Sequence, residues 1–154
     1  LQLAFVAAVG DNLRQVHLIN VNTGNHIKTV DSSCDVALVS LNSDGTLIAH
    51  FCTIGLIYVY NTQTEATKLV PGTYIGATEI KILDSKDLIV TVDGKVQHVS
   101  VNSPAPSERL LIPNAEIKPV VDYNAGTYAT VDTNATLVEF STFNGSSLDS
   151  FPLD

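Results

Sequence analysis

The sequence predicts an all-β chain, organised as about four consecutive antiparallel sheets of four strands each. Three observations predict it. The apolar residues are largely Val, Ile and Leu, with Thr and Tyr among them, and these fit a pleated surface better than a helix. Short apolar runs alternate with turn residues, as in Leu41-Asn-Ser-Asp-Gly-Thr-Leu47. The turn residues themselves recur with a period near forty.

The composition agrees. Of 154 residues, 45% are hydrophobic and 16% charged, a balance that suits a well-buried fold and argues against disorder. The net charge of −8 repels phosphate backbones and anionic lipid heads, so neither nucleic acid nor a polybasic membrane contact is expected. No apolar run approaches the roughly eighteen residues of a membrane span. The apolar start, residues 1–9, has no basic leader or cleavage pattern, so it does not read as a signal peptide. The first residue is Leu1, which reads as a processed or partial chain.

The second repeat is the clearest. A strand at 36–41 leads into Asn42-Ser-Asp-Gly45, a hairpin signal. A strand at 46–51 follows, then a short turn ending at Gly55, a third strand at 56–60, the loop Asn61-Thr-Gln-Thr-Glu65, and a closing strand at 66–70. The ends of the third strands recur as Val21-Asn22, Tyr60-Asn61, Val101-Asn102 and Phe140-Ser141, in steps of 39, 41 and 39 residues. The preceding turn recurs as Asp11-Asn12, Thr53–Gly55, Asp93-Gly94 and Asp132–Asn134. The turn after the first strand recurs at 42–45, 84–87 and 124–126.

A four-stranded unit of about forty residues is a propeller blade. Such a sheet has two apolar faces and stacks on neighbours in a ring, which explains a strand as uniformly apolar as Leu88-Ile-Val-Thr-Val92. The blades are expected at about 1–30, 31–70, 71–112 and 113–154 of a single propeller segment. The first begins at its second strand. Rings hold roughly four to eight blades, so the expected molecule is part of a larger ring, finished by residues outside this chain or by a second subunit.

Leu41-Asn-Ser-Asp-Gly-Thr-Leu-Ile-Ala49 and Leu56-Ile-Tyr-Val-Tyr-Asn61 resemble the WD40-repeat family. The likeness spans nearly the whole chain. The Trp-Asp pair of that family is replaced by Val-Asn, Tyr-Asn, Val-Asn and Phe-Ser, and its Gly-His pair is missing. The family's Asp-His-Ser-Trp hydrogen-bond network is therefore not carried over, and other propellers, including bacterial surface-type repeats, stay open. The resemblance implies a non-catalytic intracellular interaction scaffold within a larger protein or complex. It also implies a peptide-binding ring face, made by the second-to-third-strand turns and the links between blades. That face gathers Asp11, Arg14, Asp31, Tyr74, Asp93, Glu116 and Asp132, and an exposed Tyr74 among carboxylates would suit a basic segment. The same residues also read as a Tyr74 packed between blades and ordinary turn carboxylates.

The competing expectation is a propeller enzyme of the lactonase or hydrolase type, with Asp11, Asp93 and Asp132 converging at the central channel. No catalytic constellation supports it directly: there is no Gly-x-Ser-x-Gly elbow, Gly-rich phosphate loop or calcium loop. Phosphoinositide binding would need an Arg-Arg motif that is absent, and the net charge opposes it. None of His17, His26, His50 and His98 has a partner at metal-ligand spacing, so neither metal nor cofactor is expected. Cys34 and Cys52 read either as small buried hydrophobes or as a cross-strand disulfide between adjacent strands. The link Val70-Pro-Gly-Thr-Tyr-Ile-Gly76 and the insertion Asn102-Ser-Pro-Ala-Pro-Ser-Glu108 are long, breaker-rich loops. The sequons at Asn134 and Asn144 are about what chance supplies and do not locate the protein.

Overall fold

The computed structural model describes residues 2–9, 12–83, 86–103, 108–112, 120–122, 125–131, 137–142 and 146–152. Four antiparallel sheets follow one another along the chain, and within each sheet every strand pairs with its sequence neighbours. The first contains β1 (Gln2–Val9), β2 (Asn12–Asn20) and β3 (His26–Asp31). The second contains β4 (Val36–Leu41), β5 (Leu47–Cys52), β6 (Ile57–Asn61) and β7 (Thr67–Leu69). The third contains β8 (Ala77–Ile82), β9 (Leu88–Val92), β10 (Lys95–Val99) and β11 (Glu108–Ile112). The fourth contains β12 (Val120–Asp122), β13 (Thr127–Val131), β14 (Leu137–Thr142) and β15 (Ser147–Pro152). The described residues include no helix long and apolar enough to cross a membrane.

Side-chain chemistry sets the turns. Asp93 and Gly94 both have positive φ, 48° and 73°, between the paired Val92 and Lys95. That is the type I′ geometry whose twist matches the flanking strands. In the 42–45 turn, Asp44 Oδ1 accepts from the Thr46 N–H at 2.9 Å, and Asn42 Oδ1 accepts from the Leu47 N–H at 2.8 Å. Asn61 Oδ1 accepts from the N–H groups of Gln63 and Thr64, both at 2.9 Å. Asn20 Oδ1 does the same for Asn22 and Thr23, at 3.0 and 3.2 Å. The counterpart of Asn61 in the first sheet is therefore Asn20, two residues before the expected Asn22. An asparagine earns this position by capping its own turn, and both asparagines look alike in the sequence.

Among the described residues, the core lies between the first and second sheets and between the second and third. All of β5 is buried, because its alternate residues serve different neighbours. Leu47, Ala49 and Phe51 join Ile57, Val59, Val70 and Tyr74 against Ile80, Ile82, Leu88, Val90 and Val99 of the third sheet. Ile48, on the opposite face, packs with Val36 and Tyr60 against Val16, Leu18 and Val30 of the first sheet. A buried polar link joins the innermost strands of the second and third sheets: the Ile82 N–H donates to Ser40 Oγ at 3.0 Å. At the rim, Lys28 pairs with Glu65 across the first two sheets and lies 5.5 Å from the Tyr60 ring centroid. The outermost strands β7 and β15 are exposed throughout.

Cys34 and Cys52 form a disulfide with Cα atoms 5.8 Å apart. Cys34 lies in the link ahead of β4, not on the strand itself, and the bond ties that link to the end of β5.

Candidate functional site

One line of loops crosses the first three sheets at the ends where β1, β3, β5 and β9 finish. At the first sheet, Arg14 Nε donates to Asp35 Oδ1 at 3.1 Å, and both side chains are exposed. The Asp35 carbonyl accepts from the Thr53 N–H at 2.9 Å, which joins the first link to the turn after β5. The disulfide lies beside this junction, with Ser32 Oγ 3.4 Å from Cys34 Sγ.

The turn after β5 carries the next link. The Gly55 carbonyl accepts from the Tyr74 N–H at 2.7 Å. Gly55 has φ +90°, and a Cβ there would lie 2.7 Å from Ile75 Cγ1, so only glycine admits this approach. On the far side the Asp93 carboxylate rests against Gly76, where a Cβ would sit 3.0 Å from Asp93 Oδ1. The link at 71–76 is thus clamped between two turns. Ile54, in the turn, and Ile75, in the link, are 59% and 69% exposed.

Of the two readings of Tyr74, the structure takes the packed one and not the exposed one. Tyr74 is only 1% exposed, packs in the core between the second and third sheets, and donates its hydroxyl to the Pro71 carbonyl at 2.8 Å. The physical reason is the clamp: the backbone bond to Gly55 turns Tyr74 inward and Ile75 outward. Arg14 and Asp93 lie on the line of loops, and the exposed Asp31 accepts from Gln15 Nε2 at 2.9 Å beside it. Asp11, Glu116 and Asp132 lie outside the described residues, as do the sequons at Asn134 and Asn144 and most of the 102–108 insertion. Asp35, Ile54 and Ile75 were not singled out from the sequence. The available signal was an isoleucine beside a turn glycine, Ile54-Gly55 and Ile75-Gly76, where polar residues are usual.

The histidines divide by environment. His50 on β5 is 2% exposed and stacks on Tyr58, with centroids 5.4 Å apart. Burial pushes its pKa down to about 4, and its Nδ1 has no hydrogen-bond partner among the described residues. His98 Nε2 lies 3.4 Å from Asp87 Oδ2. Among the described residues, no three His, Cys, Asp or Glu side chains form a metal-binding group.

No family model matches the chain, and no curated protein matches it. Solved structures do. Hydrazine synthase of Kuenenia stuttgartiensis is similar at a TM-score of 0.59 and 12% identity, over 91% of this chain and 43% of that one. The Cps50 (Swd1) β-propeller domain of Myceliophteria thermophila is similar at a TM-score of 0.58 and 9% identity, over 91% of this chain and 49% of that one. The fold is a β-propeller. Dihydro-heme d1 dehydrogenase NirN, in complex with DHE, is similar at a TM-score of 0.55 and 12% identity, over 92% of this chain and 33% of that one. The chain spans less than half the length of each of these structures, and identities this low carry the fold alone.

Proposed function

We propose that this propeller segment is a non-catalytic scaffold that binds a protein partner on the loop face built by Arg14, Asp35, Ile54, Ile75 and Asp93. The observation that carries the reading is the pair of exposed isoleucines at the Gly55 clamp. Exposed aliphatic side chains that gather on neighbouring loops, unlike ones scattered singly, mark an interaction surface. Carboxylates flank them: Asp31, Asp35 and Asp93 outnumber Arg14, and the whole chain carries −8. The partner that fits is a segment with an aliphatic anchor and Lys or Arg beside it. The greater length of the similar structures supports a ring completed by further chain or by a second subunit.

Of the similar structures named above, two are named as enzymes and one as a β-propeller domain. The reading therefore rests on the face itself. An array of peptides pairing Leu, Ile or Val with Lys or Arg tests it. Binding should weaken by about tenfold or more in Ile54→Asp/Ile75→Asp, the loss expected of a central anchor, while the melting temperature holds. Equal binding by the double variant overturns the reading. So does a hydrolase activity that requires Asp93.

A further inference from the structure

Plain alternation does not hold along β3. Leu18 pairs with Lys28 and the next residue, Ile19, pairs with His26, which leaves Ile27 as the extra residue of a β-bulge. Counted by twos, His26 and Thr29 fall on opposite faces of the sheet. The bulge reverses this. His26 comes to share a face with Thr29 and with His17, the cross-strand partner of Thr29.

The side chains converge accordingly. His26 Nε2 lies 2.9 Å from Thr29 Oγ1, and His17 Nδ1 lies 3.2 Å from the same oxygen. The two rings stand 5.5 Å apart between centroids, at 63°. His26 is exposed while His17 and Thr29 are half-buried, so the meeting point is open to solvent on one side. Two imidazole nitrogens from adjacent strands thus aim at one small, accessible position. A hydroxyl fills it now, and a cation with two imidazole ligands would sit in the same place.

We propose that His17 and His26 form a binding site for a divalent transition metal of the zinc, nickel and copper class. Neutral imidazole is the ligand these ions favour, whereas magnesium and calcium favour oxygen. Zn–N bonds are about 2.0–2.1 Å, so the rings close on the ion in place of the Thr29 hydroxyl. Asp31, two positions further along β3, is engaged by Gln15 Nε2 at 2.9 Å. The remaining positions therefore fall to water, which makes an open, exchangeable site and not a closed structural one. The ion would tie β3 to β2 across the bulge.

Zinc titration of the whole chain, followed by calorimetry and by the histidine ring resonances, tests this. One ion should bind per chain, the His17 and His26 signals should move together, and the melting temperature should rise. His26→Ala and His17→Gln should each weaken binding by about tenfold or more, since loss of even an outer-shell partner costs that much. Thr29→Val should keep the ion, because nitrogen and not the hydroxyl is the ligand. His26 is exposed, so H26A isolates the ligand from the fold. Absence of saturable binding overturns the proposal. So does binding that survives both histidine substitutions and moves His98 beside Asp87 instead, or binding that a folded T29V abolishes.

Discussion

Replacing His50 by phenylalanine should remove a specific part of the acid sensitivity of this fold. In the unfolded chain the imidazole takes up a proton near pH 6.5, whereas in the folded chain burial delays this to about 4. Between those values the unfolded state binds more protons, so stability falls as pH falls. The contribution of neutral His50 is fully present above about pH 6.5, is lost on acidification, and levels off below about 4. At 1.36 kcal/mol per pKa unit the whole step is about 3 kcal/mol. Phenylalanine keeps the stack on Tyr58 and has no Nδ1 to leave unpartnered. Urea unfolding from about pH 7.5 to about pH 4 reads the difference. The wild type should lose about 3 kcal/mol more than H50F over that range, and carboxylate titration common to both cancels in the comparison. Parallel curves for the two proteins would refute the argument, since they would mean that the folded protein accommodates the charged ring.

Two further outcomes follow from the loop face. Gly55→Ala combines a left-handed backbone with a Cβ driven to 2.7 Å from Ile75 Cγ1. It should cost about 1–3 kcal/mol in urea unfolding and weaken peptide binding even where the fold survives. Removal of the disulfide as Cys34→Ala/Cys52→Ala opens a loop with a sequence separation of 18 residues. It should lower stability by about 3 kcal/mol on the chain-entropy estimate, read by comparing oxidised wild type with the double variant in the same denaturant series.

Local signals carried much of the fold. The Asp93-Gly94 hairpin and the Asn42-Ser-Asp-Gly45 turn formed as expected, because each is decided by residues within a few positions of one another. The repeat period was legible for the same reason. The site was only half legible. Arg14 and Asp93 were visible as charged turn residues, whereas Asp35 is marked out only by its pairing with Arg14. Tyr74 and Ile75 are neighbours, and which of them turns outward depends on a bond to Gly55 some twenty residues earlier. No pattern within the link encodes that choice.

From sequence alone came an all-β chain of repeated antiparallel sheets, with apolar faces suited to stacking. Turn chemistry and strand alternation are short-range, so they can be read one segment at a time. Only the tertiary structure decided that Cys34 and Cys52 are bonded, that Ile54 and Ile75 stand together on one loop face, and that His17 meets His26. Each depends on register between separate strands or links. A single extra residue, Ile27, is enough to move a histidine from one face of a sheet to the other.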